Sequence, residues 1–328
     1  MTNGTVMDDR SALLVGIDHY DWSLFPQLAA CVKDVAAMEQ RLSRNDDGSE
    51  NYRCDVLRSD RPDRRPSRLA LRERLRAFFA QGGGDLLFYY SGHAHRDETG
   101  TYMVASDGDA GAPGYAIADL LTLAKDSKAK SKLIILDCCF AGAAGSLPFF
   151  GDELAFLSAG VTILSATSAR DPAMEVNGHG VFTHLLLDGL DGGAANVRGR
   201  VSAAALYGYA EAALGILQQR PFYKSHTQSM APVRWCVPAV SDALLRELPI
   251  LFETQDARHA MTPAYEFTNP FHDKAKVAIF DKLKILRNAG LATPDGADDL
   301  YWCAINGQGA RLTGLGRYYW NLVRQGLI

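Results

Sequence analysis

The sequence predicts an α/β protein, a three-layer α/β/α sandwich around a mostly parallel sheet, followed by a small C-terminal module. Three observations carry the prediction. Short apolar runs alternate with helical patterns over residues 10–240, the signature of parallel strands joined by right-handed crossovers with helices on both sheet faces. The 328 residues exceed the usual domain of roughly 100–150 residues. Hydrophobic residues at 47% and charged residues at 22% exclude a largely disordered or fibrous chain.

The strands are expected at 11–17 (SALLVGI), 52–57, 85–91 (DLLFYYS), 132–137 (KLIILD), 161–166 and 232–237, each a short run rich in Val, Ile, Leu or Tyr. Between them, apolar residues recur at helical spacing over 28–42, 67–80, 117–125, 180–190 and 201–219. Residues 241–262, flanked by Pro238 and Pro263 and holding Pro249, lose the alternation and are expected to form a linker or bridging helix. Beyond them, 274–290 is an amphipathic helix closed by Gly290, 300–305 is expected as a strand and 311–325 as a helix. That order over 263–328 suggests a winged-helix-like module.

Charge and cysteine usage narrow the function classes. The net charge is −4, and residues 246–328 hold 10 basic and 9 acidic side chains, so neither part has the strongly basic character of a nucleic-acid binder. Six cysteines are spread along the chain with no CxxC pair, and are expected as thiols. No apolar run reaches the ~18–20 residues that span a bilayer, and acids stand near the N-terminus where a secretory signal would be basic. A cytoplasmic protein is expected, with no membrane partner.

Two strand ends carry the chemistry. The strand at 85–91 runs into Ser91-Gly92-His93-Ala94, and that at 132–137 into Asp137-Cys138-Cys139-Phe140-Ala141-Gly142. In a parallel sheet both ends open on one edge, where binding sites gather, so a histidine and a cysteine can meet there as base and nucleophile. The small residues that follow each leave main-chain N–H groups able to face an oxyanion. His95 adds a His-x-His pair, but no further ligand cluster completes a tetrahedral zinc site, and no metal is expected there.

On these residues the sequence resembles the caspase and metacaspase family of cysteine peptidases, and most of all its metacaspase-like bacterial members. The family's Tyr-Ser-Gly-His-Gly is similar to Tyr90-Ser91-Gly92-His93-Ala94, and its Asp-Ser-Cys-His-Ser-Gly to the stretch Asp137–Gly142. Further matches are Val15-Gly16-Ile17, Gly180-Val181-Phe182-Thr183 and Gln228–Pro232. The resemblance implies a caspase-like fold with Cys139 as nucleophile and His93 as general base and acid. It makes the main-chain N–H groups of Cys139 and Ala94 the oxyanion hole, with Ala94 standing where the family favours glycine. Cys138 is expected to pack in the core.

The same resemblance places Cys31, Asp34, Ser91 and Asp137 around the side chain that precedes the cut bond. Two carboxylates in a partly dehydrated pocket favour a cation and repel an acid, so protein substrates cut after Arg or Lys are expected, Arg first if the carboxylates allow bidentate contact. The segment 140–160 has no Lys or Arg, which argues against self-cleavage there. Arg64 and Arg65 in the basic loop 58–68, and Arg198 and Arg200 in the loop 191–200, are the candidate processing sites, for the chain itself or an upstream activating protease. No cofactor is expected. Calcium is the one the resemblance would admit, through Asp107, Asp109 and Asp119, whose spacing fits poorly.

The terminal module offers Trp302, Tyr318, Tyr319 and Trp320 as core and interface aromatics. Contact with a signalling protein, or restraint of the peptidase until a signal arrives, is expected of it, and a role in bacterial defence or cell death follows from the resemblance. The competing readings are a catalytically silent adaptor with the same fold and a DNA-binding regulator acting through residues 263–328.

Overall fold

The computed structural model describes residues 10–140, 157–166, 175–176, 178–215, 221–227 and 231–328, and of Cys139, Phe140, Glu175 and Val176 only the backbone. The chain divides into two compact units. The first comprises the described residues up to Ala195 with Arg200–Cys236, and the second Asn196–Gly199 with Val237–Ile328. No helix among the described residues is long and apolar enough to cross a membrane.

The first unit is built on the strands β1 (Ser11–Gly16), β2 (Arg53–Arg58), β3 (Asp85–Asp97), β4 (Gly100–Val104), β5 (Gly114–Ala116), β6 (Ser131–Phe140) and β7 (Val161–Ser165). The short strands β8 (Glu175–Val176), β9 (His179–Gly180) and β10 (Arg200–Val201) follow, then β11 (Phe222–His226) and β12 (Arg234–Trp235). The main sheet runs β11-β7-β6-β3-β1-β2. Strands β2, β1, β3, β6 and β7 are parallel, as expected for an alternating pattern. At one edge β11 is antiparallel to β7, and β4 folds back antiparallel on the long end of β3. The segment expected at 232–237 forms only β12, which pairs with β10 away from the main sheet.

Alternation along each strand sorts the side chains into two apolar layers. Leu13, Val15, Phe88, Tyr90, Ile134, Leu136 and Cys138 face α2 (Arg68–Phe79) and α3 (Ile117–Asp126). Leu14, Leu87, Tyr89, Leu133 and Ile135 face α1 (Cys31–Ser43), α4 (Val181–Asp188) and α5 (Ala203–Gly215). Helices on both faces of a mixed, mostly parallel sheet make the three-layer α/β/α sandwich. Cys138 is buried on the α2/α3 side, the packed position expected of it.

In the second unit, residues 241–262 hold α6 (Asp242–Arg246), α7 (Leu248–Leu251) and β13 (Arg258–Ala260). Then come α8 (Lys274–Asn288), β14 (Ala292–Asp295), α9 (Leu300–Ile305), β15 (Gly309–Leu312) and α10 (Gly314–Arg324). The strands form one antiparallel sheet, β13-β15-β14. The strand expected at 300–305 is therefore a helix. Asp299 caps it by accepting from the Trp302 N–H at 2.8 Å, and Leu300, Cys303 and Ala304 are buried at i, i+3 and i+4. The helices and three-stranded sheet of this unit support no finer assignment to the winged-helix type.

Candidate active site

The parallel register aligns the chemistry. Gly16 on β1 pairs with Ser91 on β3, Ser91 with Asp137 on β6, and His93 with Cys139. Register partners of parallel strands present their side chains to the same sheet face, so Ser91 and Asp137 share the face that carries α1 and α4. Strand β3 brings His93 and strand β6 the Cys139 backbone to adjacent points of one edge. The Cys139 side chain lies outside the described residues, as do 141–156 of the 140–160 segment and Gln228–Met230.

Helix α1 begins with a polar helix end satisfied from the strand side. Ala30 at its N-cap offers no side-chain oxygen, and Asp18, just past β1, accepts from the N–H groups of Cys31 at 2.9 Å and Val32 at 3.3 Å. That contact seats Cys31 and, one turn later, Asp34 against the ends of β3 and β6. Asp34 is 1% exposed. Ser91 Oγ donates to its Oδ2 at 3.1 Å, and the Gly180 N–H donates to it as well. His179 Nδ1 lies 2.8 Å from its Oδ1.

Asp137 is held in the same way by α4. Thr183, in the first turn of that helix, donates both its hydroxyl, at 2.5 Å to Oδ2, and its main-chain N–H, and Tyr89 Oη stands 2.6 Å behind the Thr183 hydroxyl. Gly180 fits between the two acids. A Cβ there would lie 3.0 Å from Asp137 Oδ2 and 3.6 Å from Asp34 Oδ2. Burial first, and the Asp137 charge second, push the Asp34 carboxyl up to about 8, against the opposing hydrogen bonds of Ser91 and Gly180. Burial likewise raises Asp137, against the two bonds from Thr183. Cys31, buried beside this pair, has its thiol pushed up by burial despite a hydrogen bond with Ser91. The four expected pocket residues thus form one cluster, an acid pair kept dry enough to resist ionisation.

His93 is held through its main chain, its ring and Nε2. Its main-chain N–H donates to Tyr20 Oη at 2.9 Å, and its carbonyl accepts from Tyr90 Oη at 2.7 Å. The Tyr20 ring lies 4.9 Å from the imidazole, centroid to centroid, and Phe25 6.0 Å. Nε2 is 2.8 Å from the Pro26 carbonyl oxygen. A carbonyl only accepts, so Nε2 carries the hydrogen, and in the neutral ring Nδ1 is the basic nitrogen. A buried imidazole oriented by a third group is the arrangement that general-base catalysis needs. Gly92 is required by the clamp, since a Cβ there would come within 2.7 Å of Tyr90 Oη and 2.8 Å of Tyr20 Oη.

The remaining expected positions are dispersed. Ala94 is fully buried in β3, between Phe140 of β6 and Met103 of β4 in the ladder. Arg64 is half-exposed in a loose pair with Asp55 at 3.4 Å, while Arg65 is tied to Asp21 at 2.5 Å and to Ser106. Arg198 makes a two-pronged pair with Asp242, at 2.8 and 2.7 Å, and Arg200 lies in β10 opposite Trp235. Asp107 and Asp109 both turn onto Arg68, and Asp119 lies in the first turn of α3. Among the described residues no group of three His, Cys, Asp or Glu side chains is arranged to hold a metal ion.

Sequence reasoning missed Tyr20, Pro26 and His179. Pro26 acts through its carbonyl, which any residue possesses, and Tyr20 sits in a loop of no regular period. His179 had a visible signal in Gly178-His179-Gly180, whose glycines flank an imidazole at a strand end.

Residues 9–230 match the model of the Caspase domain family. No curated protein matches the sequence. A crystal structure of a Geobacter sulfurreducens protein is 16% identical with a TM-score of 0.51, and covers 70% of this chain and 99% of its own. Caspase-1 from Spodoptera frugiperda is 12% identical with the same TM-score, and covers 70% of this chain and 91% of its own. At these identities the two structures establish a shared fold.

Proposed function

The chain belongs to the Caspase domain family, and from that premise we propose that it is a cysteine endopeptidase that cuts protein chains after Arg, or Lys, with Cys139 and His93 as its catalytic pair. In this reading the Cys139 thiol passes its proton to His93 Nδ1 and its sulfur attacks the scissile carbonyl carbon. The main-chain N–H groups of Cys139 and Ala94 receive the oxyanion. His93 then gives the proton to the leaving amine, and water, deprotonated by the same ring, hydrolyses the thioester. The His93 tautomer fixed by the Pro26 carbonyl supports the proton path, since it turns the basic nitrogen away from the carbonyl.

The observation that carries the specificity is the buried pair Asp34 and Asp137, each furnished with donors and together flanking Gly180. A cation entering there replaces a proton on a carboxyl that resists ionisation, whereas an aspartate side chain would meet two acids in a desolvated cleft. The test compares fluorogenic peptides ending in Arg, Lys or Asp before the reporter. We expect cleavage after Arg and Lys, none after Asp, and a loss of roughly 10⁴-fold or more in Cys139→Ala. Cleavage after Asp and not Arg overturns the assignment. Mapping new protein N-termini with wild type and Cys139→Ala identifies substrates and any cut at Arg64, Arg65, Arg198 or Arg200. We propose a regulatory part for residues 237–328, with signalling partners in defence or cell death, and the same mapping with that unit's binding partners added reads it out.

A further inference from the structure

His179 has no part in the chemistry proposed above, yet the local sequence is built to put it on Asp34. Gly178 takes a φ of +79°, a conformation open to glycine, and turns the chain toward the acid pair. Gly180 lets the backbone close against both carboxyls, where a Cβ would crowd Asp137 Oδ2 at 3.0 Å. Between them the imidazole Nδ1 reaches Asp34 Oδ1 at 2.8 Å. The His179 side chain is 23% exposed and that of Asp34 1%, so the imidazole is the solvent-side member of the pair. With Ser91 on Oδ2 and His179 on Oδ1, both oxygens of Asp34 are engaged by the protein itself.

We propose that His179 is the resting occupant of the acidic pocket, a built-in competitor that a substrate's basic side chain must displace from Asp34. The inference rests on the pocket reading above and adds to it the state of the pocket before substrate arrives. The displacement is one a guanidinium can perform. Burial, and then the charges of His184, Arg41 and Lys33, hold His179 below the usual imidazole range, which favours the neutral ring on Asp34. A permanent cation offering two parallel N–H donors outcompetes one neutral N–H for a carboxylate. The equilibrium between occupied and open pocket lowers the apparent affinity for every side chain that enters, by the fraction of molecules that are open.

The full-length chain is assayed on an Arg reporter at pH 9, above the point near pH 8 where Asp34 gives up its proton. In His179→Ala, KM is expected to fall about tenfold, the worth of one hydrogen bond to a charged group, with kcat within about twofold. His179→Asn places an amide N–H where Nδ1 stood and is expected to restore a KM within about threefold of wild type. A KM in His179→Ala that is unchanged or higher, while wild type cleaves after Arg, overturns the occupant and leaves the pocket reading standing. Wild type that cleaves after neither Arg nor Lys overturns both.

Discussion

Asp34 is a carboxyl placed where ionisation is costly, and in the proposed function that cost goes with a cation site. Its pKa in the folded chain is raised to about 8, against about 3.9 for a free side chain. The folded state therefore holds a proton between about pH 4 and pH 8 that the unfolded state has lost, and stability contributed by this group falls as pH rises through that window. Asn is isosteric and cannot ionise. Asp34→Asn should abolish the slope and raise Tm at pH 9, at roughly 2–4 °C per kcal/mol for a unit of this size. The same change should lower kcat/KM for Arg peptides about 10- to 200-fold, the loss of one charged hydrogen-bond partner. Wild-type kcat/KM for Arg should rise with pH up to about 8 and the variant's should lack that rise. Parallel pH profiles in the two proteins would remove Asp34 from substrate binding, and an unchanged Tm at pH 9 would remove the buried charge.

At the scale of elements, the end of β3 is held by the loop after β1. Tyr20 Oη accepts from the His93 N–H and donates to the Ile17 carbonyl at 3.1 Å, so one hydroxyl joins the loop to His93. Tyr20→Phe keeps the ring against the imidazole and leaves a buried N–H without its acceptor, which should cost about 1–3 kcal/mol. Thermal unfolding measures that loss, and under the proposed function kcat should fall with KM nearly constant, since Asp34 and Asp137 are untouched. A change confined to KM would assign Tyr20 to binding instead. The elements around this clamp differ in how far the sequence exposes them. The parallel strands and their helices are written in period: Leu86 to Tyr90 is a continuous apolar run because both faces of β3 are covered. His93 and Cys139 stand at the ends of such runs, and this made them legible. Strand β11 was not, because Phe222-Tyr223-Lys224-Ser225-His226 lies on an edge, where one side needs no apolar partner. Helix α9 was mistaken for a strand because Tyr301 and Trp302 favour β structure, while the Asp299 cap and the burial of Leu300, Cys303 and Ala304 decide for a helix. The clamp on His93 is hidden for a third reason, since main-chain groups and loop hydroxyls leave no pattern along the chain.

On the scale of the whole molecule, the two units are not consecutive in sequence. Asn196–Gly199 belongs to the second unit although the residues on either side belong to the first. Val197 is buried in the second unit's core, its carbonyl accepts from Val240 N–H at 3.2 Å, and Arg198 grips Asp242 at the start of α6. A candidate processing site is thereby stitched into the C-terminal unit. A protease needs several residues around the cut in extended form, so cleavage after Arg198 requires this segment to open locally. The pair is over a third exposed on both sides and is worth at most about 1 kcal/mol after solvent screening. Asp242→Asn should therefore speed tryptic cleavage after Arg198 about two- to fivefold when opening is fast relative to cutting. Cleavage after Arg64, half-exposed and outside this pair, serves as the internal reference. Limited proteolysis of the full-length chain read by mass spectrometry gives both rates. An unchanged ratio would mean that Val197 and its neighbours alone hold the segment, and that any physiological cut at Arg198 must wait on rearrangement of the unit's core and not on release of a surface ion pair.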